Sequence, residues 1–288
     1  PCAATIFNAL RRLDRGQLEA KLGEWAEGVL AAVERQTPGR QAVAIDGKTL
    51  RGSKKQGAPA AHLLSAVSHA LGLTLAQRAV PEGENELGRI REVLAALVLE
   101  GRVVTVDALH TQRPVAEQIL AAGADYVMVA KGNQPELRAA IAREFAEVSL
   151  ERLPAGYAVA QTTELGHGRI ETRRIVVSTR LADYLDWPGM RQVFEIERCR
   201  ECKKTGEREV KRVQGLTSLG AEEADAAALL GYNRGHWGIE NRSHHVRDVT
   251  FDEDRCQVRV GSLPQVMAAL RNALIGLMRL REAPNIAA

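Results

Sequence analysis

The hydrophobic pattern of the chain begins with a helical period and changes to a strand period near residue 41. Apolar residues recur at helical spacing over residues 8–35, which predicts a helix. Three short β-rich runs follow at residues 41–48, 62–68 and 73–80, and a turn at residues 69–72 joins the last two. We therefore expect a helix followed by a three-stranded meander.

After the meander the pattern alternates between amphipathic helices and short apolar strands. The predicted order is a helix at 84–100, a strand at 102–108, a helix at 111–122, a strand at 125–131 and a helix at 135–148. The order βββ-α-β-α-β-α is that of a ribonuclease-H-like core. The predicted fold class is therefore α/β, with a ribonuclease-H-like mixed sheet flanked by helices.

A second β-rich segment interrupts this core. Four alternating runs, at residues 157–164, 170–178, 191–199 and 208–216, predict hairpins before the last helices. Helix resumes at Ala221 through the HWGIENRSHH segment, and a final amphipathic helix covers residues 263–281. The predicted domains are a helical N-terminal remnant (1–38), the first part of the ribonuclease-H-like core (39–152), a β-rich insertion (153–219) and C-terminal helices that complete the core (220–288).

Composition narrows the class of protein without identifying it. The 288 residues are 45% hydrophobic, and the net charge of +3 is too small to indicate a polyanionic partner by itself. Four scattered cysteines do not form a disulfide framework, and no apolar stretch is long enough to span a bilayer, so we expect a cytoplasmic protein with no membrane partner. Because the first residue is Pro1 and not Met, we expect a fragment of a longer product.

Two aspartates end predicted strands that are neighbours in a ribonuclease-H-like sheet. Asp46 ends the first strand and Asp107 ends the fourth, so their carboxylates could share a metal ion. Paired divalent cations need several carboxylate oxygens to support an in-line phosphoryl transfer. Glu240, on a helix beyond the insertion, is the best third carboxylate. For either aspartate alone, the alternative is a turn former or helix cap.

The segment around Glu240 places several polar residues on one helix face. His236, Glu240, His244 and Arg247 fall at i, i+4, i+8 and i+11, which predicts a phosphate-binding face. A solvated helix face is the alternative. A zinc hydrolase using His236, Glu240 and His244 is a further hypothesis, which leaves both aspartates without a role.

Basic and amide residues on loops are candidates for contact with nucleic acid. A basic loop after Asp46 carries Lys48 and Arg51, and a loop after the strand at 125–131 carries Lys131, Asn133 and Gln134. Arg169 extends this surface into the insertion. Ordinary solvation and a simple turn are the respective alternatives. Cys199 and Cys202 form a lone CxxC pair, which is poor evidence for zinc.

Five sequence blocks in order carry a family resemblance: AIDGKTLRGS, VVTVDALHTQ, DYVMVAKGNQPEL, HGRIETRR, and HWGIEN followed by DVTFDED. Together they resemble the H-repeat-associated, ISAs-type DDE transposases of bacterial insertion sequences. The resemblance implies that Asp46, Asp107 and Glu240 are the catalytic, metal-binding triad. It further implies Mg²⁺ as cofactor, with Mn²⁺ as a substitute.

Related transposases carry a Tyr, Arg, Glu, Lys signature around the glutamate. Here His236 takes the Arg position and Arg247 the Lys position, Trp237 fits the pattern, and Tyr232 is displaced. We expect DNA contacts from His236, Trp237, Asn241 and Arg247. After IEN, three positions that are apolar in the relatives have become Ser243, His245 and Arg247. For Arg247 the alternative to a DNA contact is therefore a side chain turned toward the core.

The predicted function is that of an insertion-sequence DNA transposase. It would cleave DNA strands and transfer them by divalent-metal-dependent phosphoryl transfer, and its partners would be double-stranded element ends and target DNA. Joining two ends implies self-association during the reaction. The alternative, favoured by the polar replacements and the missing start, is a truncated, catalytically inactive remnant that only binds DNA.

Overall fold

The structure, a computed structural model, describes residues 2–166, 168–281 and 286. Its nine strands among these residues are β1 (Ala42–Thr49), β2 (His62–Ser68), β3 (Thr74–Val80), β4 (Val103–Val106), β5 (Asp125–Ala130), β6 (Tyr157–Gly166), β7 (Arg169–Ser178), β8 (Gln192–Cys202) and β9 (Arg208–Thr217). The α-helices described are α1 (Ala3–Arg11), α2 (Arg15–Glu34), α3 (Glu86–Ala95), α4 (Arg113–Ala121), α5 (Pro135–Phe145), α6 (Ala226–His236), α7 (His245–Val249) and α8 (Leu263–Leu280).

The chain divides into two compact units. The first unit joins Pro1–Arg102 to Gly235–Ala288, and the second is the continuous segment Val103–Arg234. The first unit therefore contains two separate segments of the chain, and the second is the continuous segment between them.

The N-terminal helical region is two helices and not the single helix predicted over residues 8–35. Asp14 caps α2, because its side chain accepts a hydrogen bond from the Gln17 backbone N–H at 2.8 Å. A carboxylate at this position satisfies a backbone donor that the first helical turn leaves without a partner. The chain therefore starts a new helix after Asp14.

The first unit is built on an antiparallel meander. Strand β2 pairs with both β1 and β3, and α2, α3 and α8 pack against β3. Ile45, Leu63 and Leu64 are fully buried in this meander. Six of the seven residues of β2 are buried, so this middle strand of the meander is covered on both faces.

The second unit is built on a six-stranded mixed sheet. Strands β4 and β5 are parallel and connected through α4, whereas β5 pairs antiparallel with β9. From β9 the sheet continues antiparallel through β8 and β7 to β6. A Cβ atom at Gly215 would lie 2.2 Å from the ring of Phe194 on β8, so glycine leaves the space that this buried ring fills.

The predicted order of elements is confirmed. Strands β1–β3 are followed by α3, β4, α4, β5 and α5, with β6–β9 preceding the C-terminal helices. The chain has the predicted mixed α/β class. The four predicted domains stay a prediction. Among the described residues, no helix has the length and apolar character needed to cross a membrane.

Candidate active site

Strand β1 places Asp46 and Lys48 two residues apart, so both project from the same face of the strand. The Lys48 side chain is only 8% exposed, and its Nζ lies 2.5 Å from Oδ2 of Asp248. This ion pair ties β1 to α7. The predicted contact of Lys48 with phosphate is therefore contradicted by the structure, because the ammonium group is buried against a carboxylate of the same unit.

Glu240 begins a π-helical turn at Glu240–His244, in which the His245 backbone N–H donates to the Glu240 carbonyl. This hydrogen bond spans five residues instead of the usual four, and such turns are frequent at functional sites. The turn brings His244 Nδ1 to 3.3 Å from Glu240 Oε2. The hydrogen bond with His244 lowers the pKa of Glu240, and the positive field of Lys48 and His236 acts in the same direction. Glu240 is therefore ionised at neutral pH.

Three potential metal ligands converge where β1 meets this turn. Asp46, Glu240 and His244 each offer one ligand atom, and these atoms lie within 4.8 Å of one another. His244 Nδ1 lies 3.8 Å from Asp46 Oδ2. Carboxylate oxygens are the preferred ligands of hard divalent cations, and imidazole is the commonest nitrogen ligand. The chemistry and spacing of this donor set fit a divalent metal ion.

Asp107 lies in the second unit, directly after β4. One carboxylate oxygen accepts from the Leu109 N–H at 2.7 Å, and the other lies 3.6 Å from Lys131 Nζ. The carboxylate thus caps the 3₁₀ turn Ala108–His110. A helix cap is the role that an aspartate at the end of a strand takes when it is not catalytic. The other carboxylate oxygen faces the ammonium group of Lys131, on the loop after β5. The sharing of an ion by Asp107 and Asp46 stays a prediction.

The amides beside Lys131 stabilise the loop around Asp107. Asn133 donates from Nδ2 to the Ala108 carbonyl, and Gln134 donates to the Thr111 carbonyl at 3.0 Å. These bonds fix the loop after β5 to the turn after β4. Contact of either amide with DNA stays a prediction.

Arg247 does not join the predicted phosphate-binding face. Its side chain is fully buried, with Nη2 at 2.7 Å and Nε at 2.9 Å from Glu253 Oε2. The extra residue of the π-helical turn rotates all later residues by about 100° around the axis relative to a continuous α-helix. The prediction that Arg247 contacts DNA is therefore wrong, because this rotation turns the guanidinium into the core.

Of four further predicted DNA contacts, three have exposed side chains and one, His236, is partly buried. Trp237 and Asn241 are exposed, and His236 lies close enough to Glu240 to affect its pKa. Arg51 is largely exposed and lies 3.7 Å from Asp254. Their contacts with DNA stay predictions.

The insertion carries a row of cations that the sequence alone did not reveal. Arg173 on β7 pairs directly with Arg198 on β8, which pairs directly with Lys211 on β9. Three positive side chains thus lie side by side on one face, each beside a carboxylate. Glu171 lies 2.6 Å from Arg173 and 3.6 Å from Arg198, and Glu209 lies 2.6 Å from Lys211. Arg169 is exposed at the start of β7. His167, the first residue of the HGRIETRR block, lies outside the described residues.

The zinc alternatives gain no support from the described residues. Cys199 and Cys202 are free thiols and belong to no cluster of three potential ligands in residues 2–166, 168–281 and 286. The cluster that does form combines Glu240 and His244 with Asp46, and His236 is not a member. Asp46 is therefore part of the site, contrary to the zinc-hydrolase hypothesis.

Comparison with known proteins identifies similar chains. YncI of Escherichia coli O157:H7, named as a candidate transposase, is 30% identical over 97% of this chain and 71% of its own length. YhhI of Escherichia coli K12, named as a candidate H repeat-associated transposase, is 32% identical over 83% of this chain and 64% of its own length. The chain thus spans about two thirds of these relatives.

A solved piggyBac transposase synaptic complex with hairpin DNA is similar over 88% of this chain and 50% of that chain, with 14% identity and a TM-score of 0.44. The family model described as "Transposase DDE domain" matches residues 37–275, which include β1, the insertion and the segment with Glu240. The chain therefore belongs to the DDE transposases, and within them its relatives are the H repeat-associated insertion-sequence proteins.

Proposed function

We propose that this chain cleaves DNA strands and transfers them between sites, with Asp46, Asp107 and Glu240 as the catalytic carboxylates. The observation that carries the proposal is the convergence of Asp46, Glu240 and His244 within 4.8 Å, inside a chain that belongs to the DDE transposases. Asp107 would join this set as the third carboxylate. When bound, Mg²⁺ or Mn²⁺ would activate the attacking oxygen and stabilise the leaving oxygen of the scissile phosphate.

The residues around the carboxylates would keep this site charged and in place. His244 and Lys48 favour the ionised form of Glu240, which is the form that binds a cation. The Lys48–Asp248 pair holds α7, and with it the preceding π-helical turn, against β1. Lys131, beside Asp107, would attract a phosphate toward that carboxylate.

The proposed partner is double-stranded DNA, both element ends and target. Exposed Arg51 and Arg169 and the row formed by Arg173, Arg198 and Lys211 supply positive charge that suits phosphate contact. The row covers two strand spacings, about 10 Å, which is the axial length of about three phosphates along one DNA strand. Joining two ends requires two active sites, so we propose self-association during the reaction.

A DNA-binding remnant without catalysis is the second candidate, because Ser243, His245 and Arg247 stand at positions that are apolar in related transposases. The polar replacements that suggested decay are accommodated, however. Arg247 is buried but paired with Glu253, and His245 faces solvent. The segment that carries Glu240 therefore keeps a formed helix despite losing three apolar residues, which favours the catalytic proposal.

Cleavage of a supercoiled plasmid separates the two candidates. The plasmid carries the coding region with its flanking genomic DNA, and nicking is followed with Mg²⁺, with Mn²⁺ and with EDTA. We expect metal-dependent nicking. Asp46→Asn, Asp107→Asn and Glu240→Gln should each reduce it by more than about a hundredfold, since loss of an outer-shell partner alone costs about 10–100-fold. Asp186→Asn serves as the control, because the Asp186 side chain is 95% exposed. Binding of the plasmid without any metal-dependent nicking would establish the remnant instead.

A further inference from the structure

Asp46, Glu240 and His244 form the ligand cluster. His244 is its only imidazole and its most buried member. Only 3% of its side chain is accessible, and Nδ1 points at both carboxylates, 3.3 Å from Glu240 and 3.8 Å from Asp46. Nε2 is buried and has no hydrogen-bond partner within the described part of the chain. The ring is thus fixed by packing, with one nitrogen directed at the site where we place the metal ion.

The distances suit direct coordination. Ligand atoms about 2.1 Å from an octahedral ion lie about 3.0 Å apart when adjacent and about 4.2 Å apart when opposite. Both distances from His244 Nδ1 fall between these limits, and the whole cluster lies within 4.8 Å. Adjustments of a few tenths of an ångström at each side chain would therefore let all three atoms reach one ion.

We propose that His244 is a ligand of the metal ion and that its nitrogen makes the site select transition-metal ions over Mg²⁺. This inference rests on the proposed function, since it concerns the ion that Asp46 and Glu240 hold. Mg²⁺ favours an all-oxygen shell, whereas imidazole is a good ligand for first-row transition metals. A set of two carboxylates and one imidazole consequently binds ions such as Co²⁺ more tightly than Mg²⁺.

The local fold accounts for how a histidine reaches this position. Glu240 and His244 are the first and last residues of the π-helical turn, and Ser243 beside His244 is buried. The wider turn directs the ring of His244 inward toward β1, where Asp46 lies, while the Glu240 side chain remains half exposed. A carboxylate accessible to solvent and a buried imidazole thus approach the same point from one turn of helix.

The competing role for His244 is to orient Glu240 by a hydrogen bond, without contacting the ion. The two roles differ in what a substitution does to metal preference. Loss of an orienting partner weakens every ion alike, whereas loss of a nitrogen ligand weakens transition-metal ions selectively.

The test measures binding of Co²⁺ and of Mg²⁺ to the full chain without DNA, by calorimetry and by the visible absorption of Co²⁺. We expect the wild-type protein to bind Co²⁺ at least tenfold more tightly than Mg²⁺. His244→Asn should weaken Co²⁺ binding at least tenfold and Mg²⁺ binding less than threefold. His245→Asn, a substitution at the exposed neighbour, should change neither.

Equal weakening of both ions by His244→Asn, or no weakening, would overturn the inference. If His244→Asn fails to fold, a measurement on the wild-type protein tests the inference instead. Proton NMR of the Co²⁺-loaded wild-type chain should show a strongly shifted exchangeable imidazole N–H, and its absence would also overturn the inference. Failure of the proposed function looks different, because Asp46→Asn would then leave binding of both ions unchanged.

Discussion

Arg247 provides a quantitative test of how the segment after Glu240 is held. Its guanidinium makes two contacts with Glu253 Oε2, at 2.7 and 2.9 Å, and lies 3.5 Å from Asn272. Both partners of the ion pair are buried. Arg247→Ala removes one charge of this pair and leaves the other in the interior, and breaking a buried pair in this way costs about 3–5 kcal/mol.

The structure favours the lower end of that range. Arg271 Nη1 lies 2.9 Å from the other oxygen of Glu253, so the carboxylate keeps one charged partner in the variant. We therefore expect Arg247→Ala to lower the free energy of unfolding by about 3 kcal/mol. Urea titration measures this loss as a lower midpoint at unchanged slope. Arg255→Ala, at a highly exposed side chain, should change stability by less than about 0.5 kcal/mol.

The same variant distinguishes a structural arginine from a phosphate contact. Because Arg247 is inaccessible, the salt dependence of DNA binding by folded Arg247→Ala protein should equal that of the wild type. Unchanged stability combined with a salt slope flattened by about one phosphate contact would refute the structural role.

Three further predictions address other parts of the molecule. Lys48→Met removes the partner of Asp248 and should lower both the free energy of unfolding and the affinity for divalent metal ions, which calorimetry with Mn²⁺ measures. Unchanged metal affinity would mean that the Lys48–Asp248 pair does not position the metal ligands. Burial, with His236 and Arg242 nearby, lowers the pKa of His69 to about 3 in the folded chain. In the unfolded chain the pKa of this histidine is about 6.5, so between pH 6.5 and pH 3 the unfolded chain binds a proton that the folded chain does not. Stability should therefore fall by up to about 2 kcal/mol from pH 7 to pH 5, and this loss should be absent in His69→Gln, as urea titration at the two pH values would detect. Arg198→Gln should reduce the salt slope of DNA binding by about 0.9, whereas Arg212→Gln, on the opposite face of the sheet, should not; equal effects would exclude a specific role for the cation row.

The sequence predicted the strands well because each is a short apolar run bounded by turn residues. The helices were harder. Asp14 with Gln17 three residues later is a capping pattern that predicts a helix start, yet the continuous apolar period across it favoured a single helix. Periodicity describes an average helix, so it could not show that one turn before Arg247 is π-helical.

The candidate site was predictable in its residue types but not in its partners. Asp46 and Glu240 carry the expected chemistry, and the structure brings them together. The pairing of Lys48 with Asp248 joins positions two hundred residues apart, which no local pattern encodes. The row of Arg173, Arg198 and Lys211 likewise depends on the register of three strands, which sequence alone does not determine.

The most direct test of the central claim is the position of a bound metal ion in crystals of the protein soaked with Mn²⁺. We expect anomalous scattering peaks with carboxylate oxygens of Asp46, Asp107 and Glu240 about 2.2 Å from bound Mn²⁺, and we expect Asp107 to share an ion with Asp46. Occupied Mn²⁺ sites elsewhere with none at these carboxylates, or a site at Asp46 and Glu240 that excludes Asp107, would contradict the proposed catalytic triad.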